Sequence, residues 1–378
     1  MLLSVFAHQK KDEVLVLWLV SFAFSLALMG KCVTERRVKS IPKNALVFLI
    51  VLMYHFLMRF SQKVCVAPMM DVTDRHCRFF HRLLGPDVFL YTEMLHSLAI
   101  INGDSDKLLD FDNSEHPVGI QLGGNEPRIL NQAAKIASKF NYDEVNLNCG
   151  CPSSKVVAGN FGVALMRKPQ LVADCVKAIK DGASISVSVK HRIGIDDCKD
   201  YSFVRDFVGR VHDAGCDIFF VHARCAVSNL SPKKNRDIPP IDMFKVRFLK
   251  RDFPDCKFVA NGEFDTVAKC RSILEKKKEL ALPGVDGVML GRAIRRYPVL
   301  LTDLQRAFYP KKNLRPTGEI ITSLENYYHL QKRKGINSRR IVRSWVNLFN
   351  NKKGSKKWRF LLAEGVAPME AYRRVFCS

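Results

Sequence analysis

A (β/α)8 barrel carrying a C-terminal all-helical domain is the fold that this 378-residue sequence predicts. Three observations lead there. From Val64 onward, short runs rich in Val, Ile and Phe alternate with amphipathic helical stretches, the pattern of βα units and a parallel sheet. Eight such units fill roughly 245 residues, the size of a barrel of this kind. Polar, reactive residues also stand at or just past each strand end, where such a barrel assembles its active site. A doubly wound sheet is the competing topology.

The strands are expected at Val64–Ala67, Val88–Thr92, Val118–Leu122, Glu144–Leu147, Ile185–Val189, Ile218–Val221, Lys257–Ala260 and Gly287–Leu290. Helical periodicity lies between most of them, as in Thr73–Leu84, Glu126–Phe140, Leu171–Asp181 and Ser202–Ala214. Leu300–Phe308 can close the barrel as its last helix, and Pro310 and Pro316 mark a boundary. The domains are therefore a leader over 1–62, a catalytic barrel over 63–310 and a basic helical domain over 311–378. In the last, helices are expected at Glu325–Lys334, Ser338–Asn350 and Lys356–Leu362, with Trp345, Phe349 and Trp358 as their core.

The leader does not fit the barrel. Val14–Gly30 is a seventeen-residue uncharged run, and Asn44–Met58 is a second, shorter one with a basic stretch between them. The first suits a signal h-region or anchor, and the linking segment is acid-poor like a transit peptide. An organelle-targeting leader, a membrane anchor and a true start near Met53 or Met58 all remain open, and any membrane contact would run through this leader. Twelve cysteines without a CxxC pair suggest a reducing compartment, cytoplasm or organelle, and no metal site. No obligate protein partner is evident.

The net charge of +23 is unevenly spread. Residues 311–378 hold sixteen basic and four acidic side chains, whereas the 247 residues of 64–310 hold 35 basic and 30 acidic. A basic face confined to one end suggests docking of a polyanion. A soluble Lys-rich tail is the plainer alternative. Arg339, Arg340 and Arg343 are spaced to share one helical flank and to meet phosphates.

At successive strand ends stand Pro68-Met69-Met70, Glu93, Gln121, Asn148-Cys149-Gly150-Cys151, Lys190-His191-Arg192, His222-Ala223-Arg224, Asn261-Gly262-Glu263 and Gly291-Arg292. Any one could be an ordinary loop residue, but as a set they form an active-site ring. Glycines after strands seven and eight fall where barrels build phosphate sites from backbone N–H groups. With Lys190 and His222 facing the same mouth, they point to an anionic cofactor. No GxGxxG follows the first strand, so a Rossmann dinucleotide site is not indicated.

Several stretches then become recognisable: VAPMMDVTDRHCRFF, LYTEM, HPVGIQLGG, YDEVNLNCGCPS, GVALM, LVADCVKAI, VKHRIGID, VHAR, LSPKKNRDIPPID and DGVMLGR, with NLFNN and KKWRFLL in the tail. In this order the chain resembles the tRNA-dihydrouridine synthases, and within them the DusA type. The resemblance implies an FMN-dependent barrel enzyme with a C-terminal tRNA-binding domain and NADPH as electron donor. It would reduce the C5–C6 bond of D-loop uridines at tRNA positions 20 and 20a. Hydride would pass from flavin N5 to C6 of a flipped-out uracil, and Cys151 would protonate C5. Cys149, two residues away, is a rival thiol that spacing alone does not exclude; the match to GCP selects Cys151.

The resemblance further implies that Pro68, Met69 and Met70 pack on the flavin ring, and that Gln121 and Lys190 meet its pyrimidine edge. His222, Asn261, Gly262, Gly291 and Arg292 would hold the ribityl and phosphate end. Asn148 and Arg224 would face the uracil, and Lys233, Lys234 and Arg236 the tRNA backbone. Glu263 departs from the family's second glycine and sits awkwardly beside a phosphate. His191 replaces a threonine, and Cys225 a lysine. Lys276–Pro283 looks inserted. Two other readings compete: an FMN-dependent small-molecule pyrimidine reductase, and a tRNA-binding protein without catalysis. The first leaves the basic appendage unexplained, and the second has no use for a proton donor.

Overall fold

The structure, a computed structural model, describes residues 62–310 and 313–377. The leader expected over 1–62 lies almost wholly outside the described residues. Eight parallel strands form one sheet: β1 (Val64–Val66), β2 (Leu90–His96), β3 (Val118–Gly123), β4 (Glu144–Cys149), β5 (Ser186–Arg192), β6 (Ile218–His222), β7 (Lys257–Asn261) and β8 (Gly287–Leu290). From β2 to β8 each pairs with the next in sequence, and β8 pairs with β1. Between β1 and β2 the gap is bridged at Cys65 and Phe89: Val66 N–H donates to Phe89 O and Phe89 N–H to Val64 O, both at 2.9 Å. The sheet is thus a barrel, with helices around it.

β2 begins later and runs further than its apolar run suggested. A register shift between Tyr91 and Met94 against β3 carries the ladder on to His96. Asp74 caps the helix Arg75–Leu84, its carboxylate accepting from Cys77 N–H at 2.9 Å. The segment Lys276–Pro283 folds into a short 3-10 turn at Lys278–Leu280, held by reciprocal bonds between Lys277 and Leu282.

Two cores follow from strand parity. Alternate residues such as Val145, Leu147, Val187, Val189 and Phe219 point outward and pack against the helices. A smaller apolar core inside the barrel is made by Cys65, Phe89, Tyr91, Ile218, Phe220, Val259 and Met289. It comes from β1, β2 and β6–β8, with Phe89 just ahead of β2. The inward positions of β4 and β5, and Gln121 on β3, carry polar side chains instead. A one-residue slip in β4 would exchange Asn146 and Asn148 for Val145 and Leu147, so register is strongly specified.

The C-terminal domain contains the helices Thr317–Arg333, Ser338–Val342, Ser355–Ala363 and Pro368–Phe376. Trp345 and Trp358 are fully buried and Phe349 nearly so, the core role that the sequence suggested. The expected helix Ser338–Asn350 stops at Val342 and resumes as a 3-10 turn at Trp345–Asn347. The break turns the Trp345 indole inward, where its N–H donates to His76 O at 3.2 Å. Arg343 therefore leaves the flank shared by Arg339 and Arg340 and reaches Asp74 at 3.1 Å. Tyr327 stacks on Phe79 with ring centroids 3.9 Å apart, and its hydroxyl is 2.9 Å from His76 Nδ1. These contacts fix the bundle to the first barrel helix.

Candidate active site

The parity of β4 decides which cysteine faces the mouth. Glu144, Asn146 and Asn148 point into the barrel, so Cys149 points out. It is fully buried in the helix-side core, and burial drives its thiol far above the ordinary range, with Cys175 and Cys216 adding to the effect. The strand ends there, and the chain turns at Gly150. Asn148 Oδ1 accepts the N–H groups of Gly150 and Cys151 at 3.2 and 3.0 Å. Cys151 O accepts Val163 N–H at 3.0 Å, and Arg192 Nε donates to Gly150 O at 3.0 Å. Cys151 is thereby half-exposed at the mouth on a loop tied from three sides.

Gln121, Asn146 and Ser188 are register partners across β3, β4 and β5, and Asn148 and Lys190 form the next layer towards the mouth. Gln121 Nε2 donates to Asn146 Oδ1 at 2.7 Å, and Asn148 Nδ2 donates to Gln121 Oε1 at 2.8 Å. Lys190 Nζ donates to Asn261 Oδ1 at 3.2 Å, and Asn261 Nδ2 to Met289 O at 2.8 Å. Burial, followed by the charge of Arg192, pulls Lys190 down to about 8, so it is still largely charged at neutral pH. His222 is held well below its ordinary value by burial and by Arg192, Lys190, Arg224 and Arg292, and is a neutral imidazole.

The ends of β6–β8 form a different wall. Gly262 has φ +152, and a Cβ there would come within 2.7 Å of Ile241 Cδ1. Glu263 is left-handed at φ +52. Its carboxylate accepts from the buried Arg224 guanidinium and lies 3.9 Å from Arg292. Arg224 also donates to Pro239 O, while its Nε has no hydrogen-bond partner among the described residues. Arg292 pairs with Asp237 and donates to Arg236 O at 3.0 Å. A cavity of about 340 Å³ lies behind this loop, lined by Met243, Phe244, Gly262, Glu263, Phe264 and Lys277 among others.

The other expected residues fall around these walls. Met69 packs beside Gly291, where a Cβ would sit 3.4 Å from its sulfur, and Met70 is exposed after a part-buried Pro68. Lys233, Lys234 and Arg236 are exposed on the loop after β6, which Asn235 staples internally through Val227 and Leu230. Arg339 and Arg340 are exposed on the bundle. His191 faces the helices rather than the mouth, its ring centroid 5.1 Å from that of Phe207. Sequence reasoning missed Glu144, Asn146 and Ser188, and placed Arg192 in the strand-end ring without giving it a role. The first three were marked by polar residues at every second position, Glu-Val-Asn-Leu-Asn and Ser-Val-Ser-Val-Lys, inside otherwise apolar strands.

Comparison with known proteins fits this geometry. The sequence model of the Dihydrouridine synthase (Dus) family matches residues 65–376, across both barrel and helical domain. The chain belongs to that family. It is 43% identical over 306 residues to the tRNA-dihydrouridine(20/20a) synthase of Xanthomonas campestris, covering 81% of this chain and 89% of the relative. Against the enzyme of the same name from Pseudomonas putida it is 44% identical, covering 81% and 89%. For that of Vibrio vulnificus the values are 44%, 81% and 92%. Family membership makes the chain a flavin-dependent, NAD(P)H-dependent oxidoreductase that acts on the CH–CH group of uridine in tRNA.

Proposed function

We propose that this chain reduces the C5–C6 bond of D-loop uridines at tRNA positions 20 and 20a, with FMN bound in the barrel mouth and NADPH as electron donor. The observation that carries the reading is the Cys151 loop. The turn that follows β4 brings its thiol to the mouth beside Lys190, whereas Cys149, still on the strand, is sealed under the helices. The names of the relatives support the positions on tRNA.

The residues present fit FMN. Gln121 uses one amide hydrogen within the barrel and keeps the other for the pyrimidine edge. Lys190, His222 and Asn261 come from three adjacent strands, and the glycines Gly262 and Gly291 directly follow β7 and β8. Arg224, buried with an unpaired Nε, supplies cationic charge beside them. When bound, FMN supplies the hydride that adds to uracil C6. Cys151 gives the proton to C5, and the bonds from Asn148 and Arg192 keep its loop from drifting. Lys190 sets positive charge at the cofactor's pyrimidine edge. Neutral His222 bonds without adding charge. Arg292 would take the phosphate, and Arg224, expected at the uracil but tied to Glu263 instead, would join it once that carboxylate gives way. Lys233, Lys234, Arg236, Arg339 and Arg340 would hold the tRNA backbone, which positions the loop while the uracil flips out.

The test is anaerobic spectroscopy on the full chain. NADPH bleaches the bound flavin, and unmodified tRNA restores its colour. A bleach that free pyrimidines reverse and tRNA does not would replace this reading with the small-molecule reductase.

A further inference from the structure

Glu144 lies on the barrel floor, fully buried, on the strand that ends at the Cys151 loop. Its Oε1 accepts from Ser188 Oγ and, at 2.6 Å, from Tyr91 Oη, while Oε2 accepts from Gln62 Nε2. Ser188 has one proton, which it gives to Glu144, so its oxygen is left to accept Asn146 Nδ2 at 2.7 Å. Asn146 must then present its carbonyl to Gln121 Nε2, 2.7 Å away. Gln121 in turn presents Oε1 to Asn148 Nδ2 at 2.8 Å, which leaves Asn148 Oδ1 for the N–H groups of Gly150 and Cys151. Every amide in this file is oriented the same way. Backbone N–H can only donate, and that end alone sets the direction of the whole file; burial pushes the Glu144 carboxyl up to about 7, and its Oε1 still accepts from Ser188.

We propose that Glu144 is a positioning residue for the proton-donor loop, acting through Ser188, Asn146, Gln121 and Asn148 on the N–H groups of Gly150 and Cys151. It touches neither substrate nor cofactor. The catalytic consequence rests on the reading of Cys151 given above; the positioning itself does not. Cutting the file at Ser188 leaves Asn146 Nδ2 buried without an acceptor. If Asn146 flips to recover a partner, Gln121 and Asn148 are forced against their neighbours, and the loop loses its anchor.

Glutamine at 144 should be tolerated. Its carbonyl can keep both Ser188 and Tyr91, and its NH2 would meet the Gln62 amide. Gln62 Oε1 is buried without a partner among the described residues, so turning that amide converts the clash into a bond. Leucine at 144 offers nothing to accept.

The experiment measures, peptide by peptide, the iodoacetamide alkylation rates of Cys151, Cys198 and Cys377 in the full chain and in S188A, E144L and E144Q, with thermal unfolding to establish folding. In S188A and E144L the Cys151 rate should change about fivefold or more, as loss of a buried hydrogen-bond partner implies. Cys198 and Cys377 should stay within about twofold. The S188A/E144L double variant should add little to either single change, because both cut one chain. E144Q should return Cys151 to within about twofold of the parent. A Cys151 rate unmoved in folded S188A overturns the proposal, and so does E144Q behaving like E144L. If E144L does not fold, S188A and E144Q decide. These rates need no flavin, so a chain that binds none but shows the expected pattern would refute the FMN reading and keep this one.

Discussion

The two walls of the barrel mouth satisfy their polar groups in opposite ways. Along β3–β5, buried amides and a hydroxyl bond to one another in a closed file, and the reactive thiol hangs from its end. Along β6–β8, arginines are answered by two half-exposed carboxylates, Glu263 and Asp237, on surface loops. Buried partners of the first kind cannot be exchanged without leaving a group unpaired. Ion pairs reaching solvent are weak and exchangeable. On the proposed function, the first wall would hold geometry and the second would release an internal anion when an external one arrives. That difference matches a proton donor on one side and a cofactor phosphate on the other.

The comparison breaks most visibly at Cys151. Cys151→Ala should retain flavin and its bleaching by NADPH, while tRNA-driven recovery of the oxidised spectrum falls about 10²- to 10⁴-fold, the range of a lost general acid. Cys149→Ala, on the helix side, should leave that rate within about threefold, at most mildly destabilised by a small buried gap. Equal losses in both variants would mean that strand parity had assigned the thiols wrongly.

On the second wall, Glu263→Gly removes the internal anion. FMN affinity, measured by flavin fluorescence, should rise about three- to tenfold, with riboflavin affinity unchanged because it has no phosphate. An equal gain for both flavins would place the carboxylate's effect elsewhere.

Lys190 joins the two walls and gives a pH test. Its ammonium, pulled to about 8 by burial, is present below that pH and lost above it. NADPH bleaching should therefore slow as pH rises through about 8, and Lys190→Met should be slow and flat across the same window. A parental profile without that inflection would remove the charge from the account. The smallest effect is expected far from the mouth. Replacing both Arg339 and Arg340 by alanine should lower the salt slope of tRNA binding by about 2 and leave flavin affinity alone.

The eight strands were legible because Val, Ile and Phe cluster between helical stretches, and every expected strand overlaps an observed one. Boundaries were less so. The β2 ladder persists through Glu93 and Met94 because β3 offers partners, a tertiary cause that no local pattern carries. The helix break at Val342 has the same origin, in an indole that bonds to a barrel carbonyl about 270 positions earlier in the chain. At the site, strand-end residues could be found by position alone. The choice between Cys149 and Cys151 could not, since it depends on where β4 ends and the chain turns. Glu144 and Ser188 stayed hidden because a polar residue on a barrel floor looks like an interruption until its partners are seen. The pairing of Glu263 with Arg224 joins residues from two loops and has no sequence signal beyond the missing glycine.

The central claim is that this barrel reduces uridines of tRNA. The most direct measurement is to incubate the full chain with FMN, NADPH and unmodified tRNA, digest the tRNA, and map its D-loop nucleosides by mass spectrometry. The account predicts two added hydrogens on the uridines at positions 20 and 20a, and none when Cys151 is alanine. Uridines left unchanged throughout the D-loop, by a protein whose flavin NADPH has visibly bleached, would contradict it.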